Sequence, residues 1–422
     1  MYKKTILDNG LKIIAHRMPD RQSLALGIWI NVGGRYESEK NKGISHFLEH
    51  LLFKGTKNYT CRKIKESIEG IGGYLNAFTS EELTCYLVKI PHRHLKLALD
   101  ILADMVVHPV LSEQEMIKER TVILEEIKMY KDQPHSYVYE LLDELLWPKQ
   151  PLGTPIIGSA ESVSSMTRDQ ISFFKQSCYT APNIVVSAAG ALDYEHLNKS
   201  VKRKFSCLKK EKRNAFVSVR EVQDKPQLKL FPKETEQTHM ALGFHGLRRD
   251  HPQRHALGLL HVVLGANMSS RLFNEIREKR GLAYEIGTQV KRYNDTGAFL
   301  VHAGIDNRKV PETTKLILQE LQKCKERSVT DSEFIRAREF YIGQLILALE
   351  DTMDHMLWIG ETTATLDKTY SLEEIIKEVK KVNIKDLREV ARQVFQGTKL
   401  NLALIGPVKD QKNDIYSELK LN

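Results

Sequence analysis

The chain has 422 residues, 41% hydrophobic and 28% charged, and its 63 lysines and arginines exceed its 54 acids by 9. A length near three times 150 suggests two or three domains, and the ordinary composition excludes disordered, collagenous and low-complexity classes. No run approaches the roughly 18 apolar residues of a membrane span.

The opening Met1–Gly10 lacks the apolar core of a signal peptide. Five scattered cysteines, odd in number and never in C-x-x-C spacing, fit reduced thiols better than disulfides or a cysteine-built zinc site. A cytoplasmic protein without membrane contact is expected.

Taken in chain order, the first strand-like run is Leu24–Trp29. From Gly43 to Gly55, apolar Ile44, Phe47, Leu48, Leu51 and Leu52 keep helical spacing, and His46, Glu49 and His50 share another stripe. Ser45 reads as the N-cap and Gly55 as the residue ending the helix. Two histidines four apart project side by side, as two imidazoles converging on one metal ion do. Glu49, between them in space, can reach a water beside that metal without ligating it; the pattern is H-x-x-E-H. The alternative is a helix whose histidines merely face solvent. A metal reading needs a third ligand.

Gly73–Ser80 reads as a strand after Gly72-Gly73, Thr84–Lys89 as a second, and Arg93–Met105 as a helix. In the next helix, 113–128, positions 115, 119, 122, 123 and 126 share one face that interleaves carboxylates with Val122 and Ile123. A carboxylate among apolar residues is costly unless paired or metal-bound. Glu119 and Glu126, seven apart, point the same way, while Glu125 is turned by about 100°. Glu126 is therefore the better third ligand and Glu119 its supporting partner; an acidic, solvated helix is the alternative. Glu113, Glu115 and Glu119 together would favour basic peptides.

Near the midpoint lies a basic run of Lys202, Arg203, Lys204, Lys209, Lys210, Lys212 and Arg213. With one aromatic, Phe205, and no glycine-rich pattern, it reads as a solvated face, and no nucleic-acid partner is expected. Residues 209–227 are the natural linker. Beyond it, Met240–His245 repeats Leu24–Trp29 at an offset of 216, Gly297–His302 repeats Thr84–Lys89 at 213, and Pro311–Lys323 is again helical. Two matches at nearly one offset indicate a duplicated domain. The expected fold is α+β: two homologous domains, 1–208 and 228–422, each a mainly antiparallel sheet with helices packed on one face. Arg271–Arg280 reads as a basic amphipathic helix ended by Gly281, with Tyr284 opening a strand.

Rival histidine groups are weaker. Pro252 separates His251 from His255, and His92 and His94 flank an exposed turn. The stretch His255–His261, where a second metal helix would fall, lacks H-x-x-E-H. One metal site per chain follows.

His46-Phe47-Leu48-Glu49-His50 together with Glu119–Glu126, Gly73–Ser80 and Ser269–Tyr284 resembles the inverzincin peptidases, the pitrilysin, insulysin and mitochondrial processing peptidase group. Over nearly its whole length the chain is most similar to their short two-domain bacterial members. The resemblance implies zinc on His46, His50 and Glu126, Glu49 as the base, and Glu119 in support. It further implies Arg277 and Tyr284 reaching the substrate across a closed chamber, and Asn76 and Ala77 on an edge strand where extended peptides pair. A zinc endopeptidase acting on unfolded or presequence-like peptides is expected, as a homodimer or with a homologous chain. A non-catalytic peptide-binding or scaffold subunit is the alternative. All three ligands and Glu49 precede residue 130, so the first half is expected to hold the metal alone.

Overall fold

In a computed structural model that describes residues 2–211 and 215–421, the repeat seen in the sequence appears as a repeated strand register. Gly27 lies opposite Leu87 in one antiparallel pair, and Gly243, 216 positions on, lies opposite Leu300, 213 positions on, in another. Trp29 opposite Cys85 and His245 opposite Ala298 continue the match. The duplication therefore extends to which residues face which.

The first unit contains β1 (Tyr2–Ile6), β2 (Lys12–Arg17), β3 (Ser23–Ile30), β4 (Tyr74–Thr79), β5 (Thr84–Pro91) and β6 (Ile184–Gly190), ordered β1-β2-β6-β3-β5-β4. The β2–β6 pair is parallel and the others antiparallel. The second contains β7 (Gln227–Pro232), β8 (Gln237–His245), β9 (Ala283–Arg292), β10 (Gly297–Asp306) and β11 (Asn401–Gly406), ordered β7-β11-β8-β10-β9, with β7–β11 parallel. Both are mainly antiparallel, as the sequence implied.

Strand β3 reads Ser-Leu-Ala-Leu-Gly-Ile-Trp-Ile, with no polar residue after its first, and it is buried along almost its entire length. A strand without alternation must be covered on both faces. On one side lie helices that follow the strands in sequence: α1 (Ile44–Leu52), α2 (Cys61–Glu69) and α3 (Leu95–Val107), the last starting two residues later than predicted, after a turn at His92–His94. The other face is covered by the helix Thr352–Leu366, from the far end of the chain. Its Met356, Ile359 and Ala364 pack on Ala25, Trp29, Cys85, Leu87, Val185 and Ala189. Contact is close enough that a Cβ on Gly360 would sit 2.1 Å from Trp29 Nε1, so only glycine fits. Trp29 Nε1 donates to Ser187 Oγ at 2.8 Å, satisfying its polar atom inside this core.

The second unit repeats the arrangement with a helix from the first half. After α4 (Glu113–Asp132), α5 (Pro134–Leu146) places Val138, Leu141, Leu142 and Leu146 against Ala241, Leu300, Ala403 and Ile405. The compact units thus depart from the contiguous domains expected at 1–208 and 228–422. The first comprises residues through Lys128, Pro155–Val217 and Ile346–Ser371; the second comprises Met129–Thr154, Ser218–Leu345 and the chain from Leu372 onward. The reason is burial: each sheet needs a second apolar cover, and the equivalent helix of the other repeat supplies it. The division at Val217 falls inside the expected linker, whose last residue, Gln227, is already strand. Of the basic run, Lys202–Lys204 end a helix, Lys204 pairs with Asp100 at 2.7 Å, and Lys212 and Arg213 lie outside the described residues.

Candidate metal centre

Helix α1 buries Ile44, Phe47, Leu48, Leu51 and Leu52. Its start differs from expectation. Gly43, at φ +87°, is the N-cap, and a Cβ there would come within 2.5 Å of the Ile157 carbonyl oxygen. Ser45 does not cap; the Glu37 carboxylate accepts instead from the Gly43 and Ser45 N–H groups, each at 2.8 Å. A negative side chain here satisfies two free donors and the helix dipole, although burial pushes its pKa up to about 7. At the other end Phe53 is the C-cap, so Gly55 lies two residues beyond it.

This anchoring holds the opposite stripe of α1 toward α4. His46 Nε2 lies 3.8 Å and His50 Nε2 3.7 Å from the same Glu126 oxygen. The three ligand atoms all fall within 4.8 Å of one another, the only such group of three among the described residues. Both separations are too long for hydrogen bonds and close to the ~3.4 Å edge of a tetrahedron with ~2.1 Å zinc bonds. The donor set, two imidazoles and one carboxylate, fits a zinc ion and leaves a coordination position open.

Around these three, His50 Nδ1 is 3.0 Å from Glu119 Oε2, and Lys54 Nζ is 2.5 Å from Glu119 Oε1. A carboxylate on Nδ1 fixes the tautomer that leaves Nε2 as a lone-pair donor. Glu119 is buried. Burial, and secondarily His50, holds the His46 pKa down to about 3, so its imidazole stays neutral. Burial raises Glu126, with His50 opposing.

Glu49 is 9% exposed, and burial raises its pKa, opposed chiefly by a hydrogen bond from Thr79. Thr79 Oγ1 donates to Glu49 Oε2 at 2.5 Å. Sequence reasoning gave Thr79 no role; strand alternation puts it on the face of Ala77, but its partner is 30 residues away. Lys54 was missed for the same reason, its partner Glu119 lying 65 residues on; Glu37 was missed although Gly43 and Ser45 are only six and eight residues on.

Other expectations fare unevenly. Val122 is 49% exposed, so the face of α4 that carries Glu119 and Glu126 is buried at Glu119 and Ile123 but open at Val122. Glu125 is turned outward and pairs with Lys128 at 2.7 Å. Glu115 pairs with Lys118 and Glu119 with Lys54. Asn76 and Ala77 sit on β4, the edge of the first sheet, paired on one side with Leu87 and Tyr86. Arg277 and Tyr284 belong to the second unit. There the Arg277 guanidinium lies 4.7 Å from the Phe273 ring centre and 5.5 Å from that of Tyr284, which is 74% exposed at the start of edge strand β9. The predicted helix around Arg277 is wound as a π-helical turn, Phe273–Glu278, closed by Gly281 at φ +60°. His251 precedes its helix, Arg254–Gly265, so it and His255 do not form a pair four apart on one helix.

Known proteins similar to this chain fall in one family. Residues 12–160 match the insulinase (peptidase family M16) domain and residues 165–341 the peptidase M16 inactive domain. An uncharacterized zinc protease, YmxG, of Bacillus subtilis is 37% identical over 407 residues, covering 96% of this chain and 98% of that protein. An uncharacterized zinc protease of Streptomyces coelicolor is 36% identical over 421 residues, covering 97% and 90%. A crystal structure of a Helicobacter pylori protease matches with a TM-score of 0.89 at 24% identity, covering 96% of this chain and all of that one, and so shares the fold. With a curated relative above one third identity along almost the whole chain, this protein belongs to the insulinase family, peptidase family M16.

Proposed function

We propose that this chain is a zinc-dependent endopeptidase that hydrolyses unfolded or presequence-like peptides inside a closed chamber. The observation that carries the reading is the convergence of His46, His50 and Glu126 on one point, with Glu49 alongside and Glu119 on His50. His46, His50 and Glu126 would hold one zinc ion per chain. Bound there, zinc supplies a Lewis acid that polarises a carbonyl and makes water a stronger nucleophile near neutral pH.

The chain's own groups do the rest. Glu49 takes a proton from the attacking water as the new C–O bond forms, then gives it to the departing amine as the C–N bond breaks. Its buried setting, which raises its pKa, suits a group that must both accept and return a proton. An extended peptide pairs with the edge of β4 at Asn76 and Ala77. Arg277 holds the peptide, and the Tyr284 hydroxyl donates to the carbonyl oxygen as it gains charge. We assign two chains, alike or homologous, to the working assembly, and the cytoplasm as its compartment, which suits five free thiols. Among the described residues no helix is long and apolar enough to cross a membrane.

The test is Glu49→Gln in purified, zinc-loaded protein. Zinc content should stay at the parent level while peptide turnover falls by orders of magnitude, because the amide fills the same space but accepts no proton at neutral pH. Substantial turnover at full zinc would remove Glu49 as the base. A parent protein that binds no zinc would favour the non-catalytic peptide-binding subunit.

A further inference from the structure

We infer that Thr79 is the positioning residue for Glu49, tying the base to the edge strand on which the peptide is proposed to lie. This rests on the reading of Glu49 as the base and adds the group that aims it. Thr79 closes β4, and its hydroxyl donates to Glu49 Oε2 at 2.5 Å. Among the described residues Glu49 Oε1 has no hydrogen-bond partner. A carboxylate held by one oxygen keeps the other directed, so Oε1 takes the proton from water and returns it to the amine nitrogen.

The donor is itself braced. Thr79 opens the turn to β5, where Ser80 N–H donates to the Leu83 carbonyl at 2.7 Å. From the other side, Gly34 N–H donates to the Ser80 carbonyl at 3.1 Å and Arg35 N–H to the Glu81 carbonyl at 2.8 Å. The Arg35 guanidinium then pairs with Glu82 at 2.7 Å, both side chains almost fully buried. A turn fixed by buried backbone and ionic bonds sets its first residue accurately. Thr79 also lies two residues from Ala77 on the same strand, so a peptide pairing there meets a base registered to the same backbone.

The experiment compares Thr79→Val and Thr79→Ser in the full-length protein loaded with zinc, using one extended peptide of about ten residues. Valine keeps the shape and removes the hydroxyl; serine restores it. A hydrogen bond to a charged group is worth about a tenfold to hundredfold change, so kcat should fall by that factor in Thr79→Val. KM should stay within about twofold and zinc content should be unchanged. Thr79→Ser should recover most of the lost kcat. Thr79→Val turning over like the parent would overturn the inference, as would Thr79→Ser as slow as Thr79→Val, or a loss confined to KM. These outcomes are separable from a failure of Glu49→Gln, which would show turnover persisting without the carboxylate.

Discussion

Removing the Glu126 carboxylate offers the sharpest test of the metal site, because its neighbour in sequence serves as an internal control. Glu126→Gln keeps the side-chain volume but replaces a charged ligand with a weakly donating amide, leaving only His46 and His50. Loss of a partner that merely orients a ligating histidine costs about 10- to 100-fold in affinity, which is the range expected of Glu119→Gln. Loss of the ligand itself should exceed it, at about 100-fold or more, or upward of about 2.8 kcal/mol. Glu125 has a side chain 65% exposed and paired with Lys128; such screened pairs are worth at most about 1 kcal/mol, so Glu125→Gln should change zinc affinity less than about fivefold.

Metal-free stability supplies the check on folding. Burial raises the Glu126 pKa, so near neutral pH its charged form is less favourable in the folded than in the unfolded chain, and the neutral glutamine should not destabilise the protein. Zinc affinity would be measured by competition against a chromophoric chelator, alongside thermal melting in chelator. Equal affinities for Glu125→Gln and Glu126→Gln, or the reverse order, would refute the assignment.

Acid should destabilise the metal-free protein in a way that His46→Gln relieves. The folded pKa of His46 is about 3 against an unfolded value near 6.5, so the unfolded chain gains a proton first and stability falls as pH drops from about 6.5 toward 3, at up to about 1.4 kcal/mol per pH unit. Urea titrations in chelator across that range should show a flatter profile for the variant, and identical profiles would refute the argument. Arg35→Met should lower stability by about 3–5 kcal/mol, because it removes a buried ion-pair partner of Glu82. Adding Glu82→Leu should recover part of the thermal midpoint, whereas a further additive loss would show that the pair is not coupled.

What could be read from the sequence was whatever depends on one element at a time. The 100° step between helical residues separated Glu126 from Glu125, and the structure places them as that step requires. Repeated apolar strings marked β3 against β8 and β5 against β10, and their pairing partners match residue for residue. Side-chain pairings across turns and between elements were not legible. Ser45 looked like a cap because serine often is one, but Glu37 reaches the same N–H groups with a charge. Thr79 carries no local mark of its bond to Glu49. Nor does any local pattern state which sheet an apolar helix will cover, and so the destinations of α5 and Thr352–Leu366 stayed hidden.

That exchange changes what should follow from dividing the chain. Since the ligands and Glu49 all precede residue 130, a fragment ending at Asp224 was expected to bind zinc unaided. In the structure that fragment lacks Thr352–Leu366, whose Met356 and Ile359 are fully buried on Trp29, Leu87 and Val185. Each large apolar side chain returned to water costs about 1.5–3 kcal/mol. Uncovering Trp29, Leu87 and Val185 in the fragment costs about 5–9 kcal/mol, comparable to the whole stability of a typical domain, about 5–15 kcal/mol. The fragment also carries α5 without the β8 and β11 residues that bury its Leu141 and Leu142. Residues 1–224 alone should therefore show no cooperative melting and bind zinc at least about 100-fold more weakly than the full chain. Adding a peptide spanning 346–371 should restore part of both, because it re-covers Trp29, and a peptide with Gly360→Ala should not, since its new methyl would meet the indole. Cooperative melting and tight zinc binding by 1–224 without the peptide would show that the first sheet does not need the helix it receives from the second half.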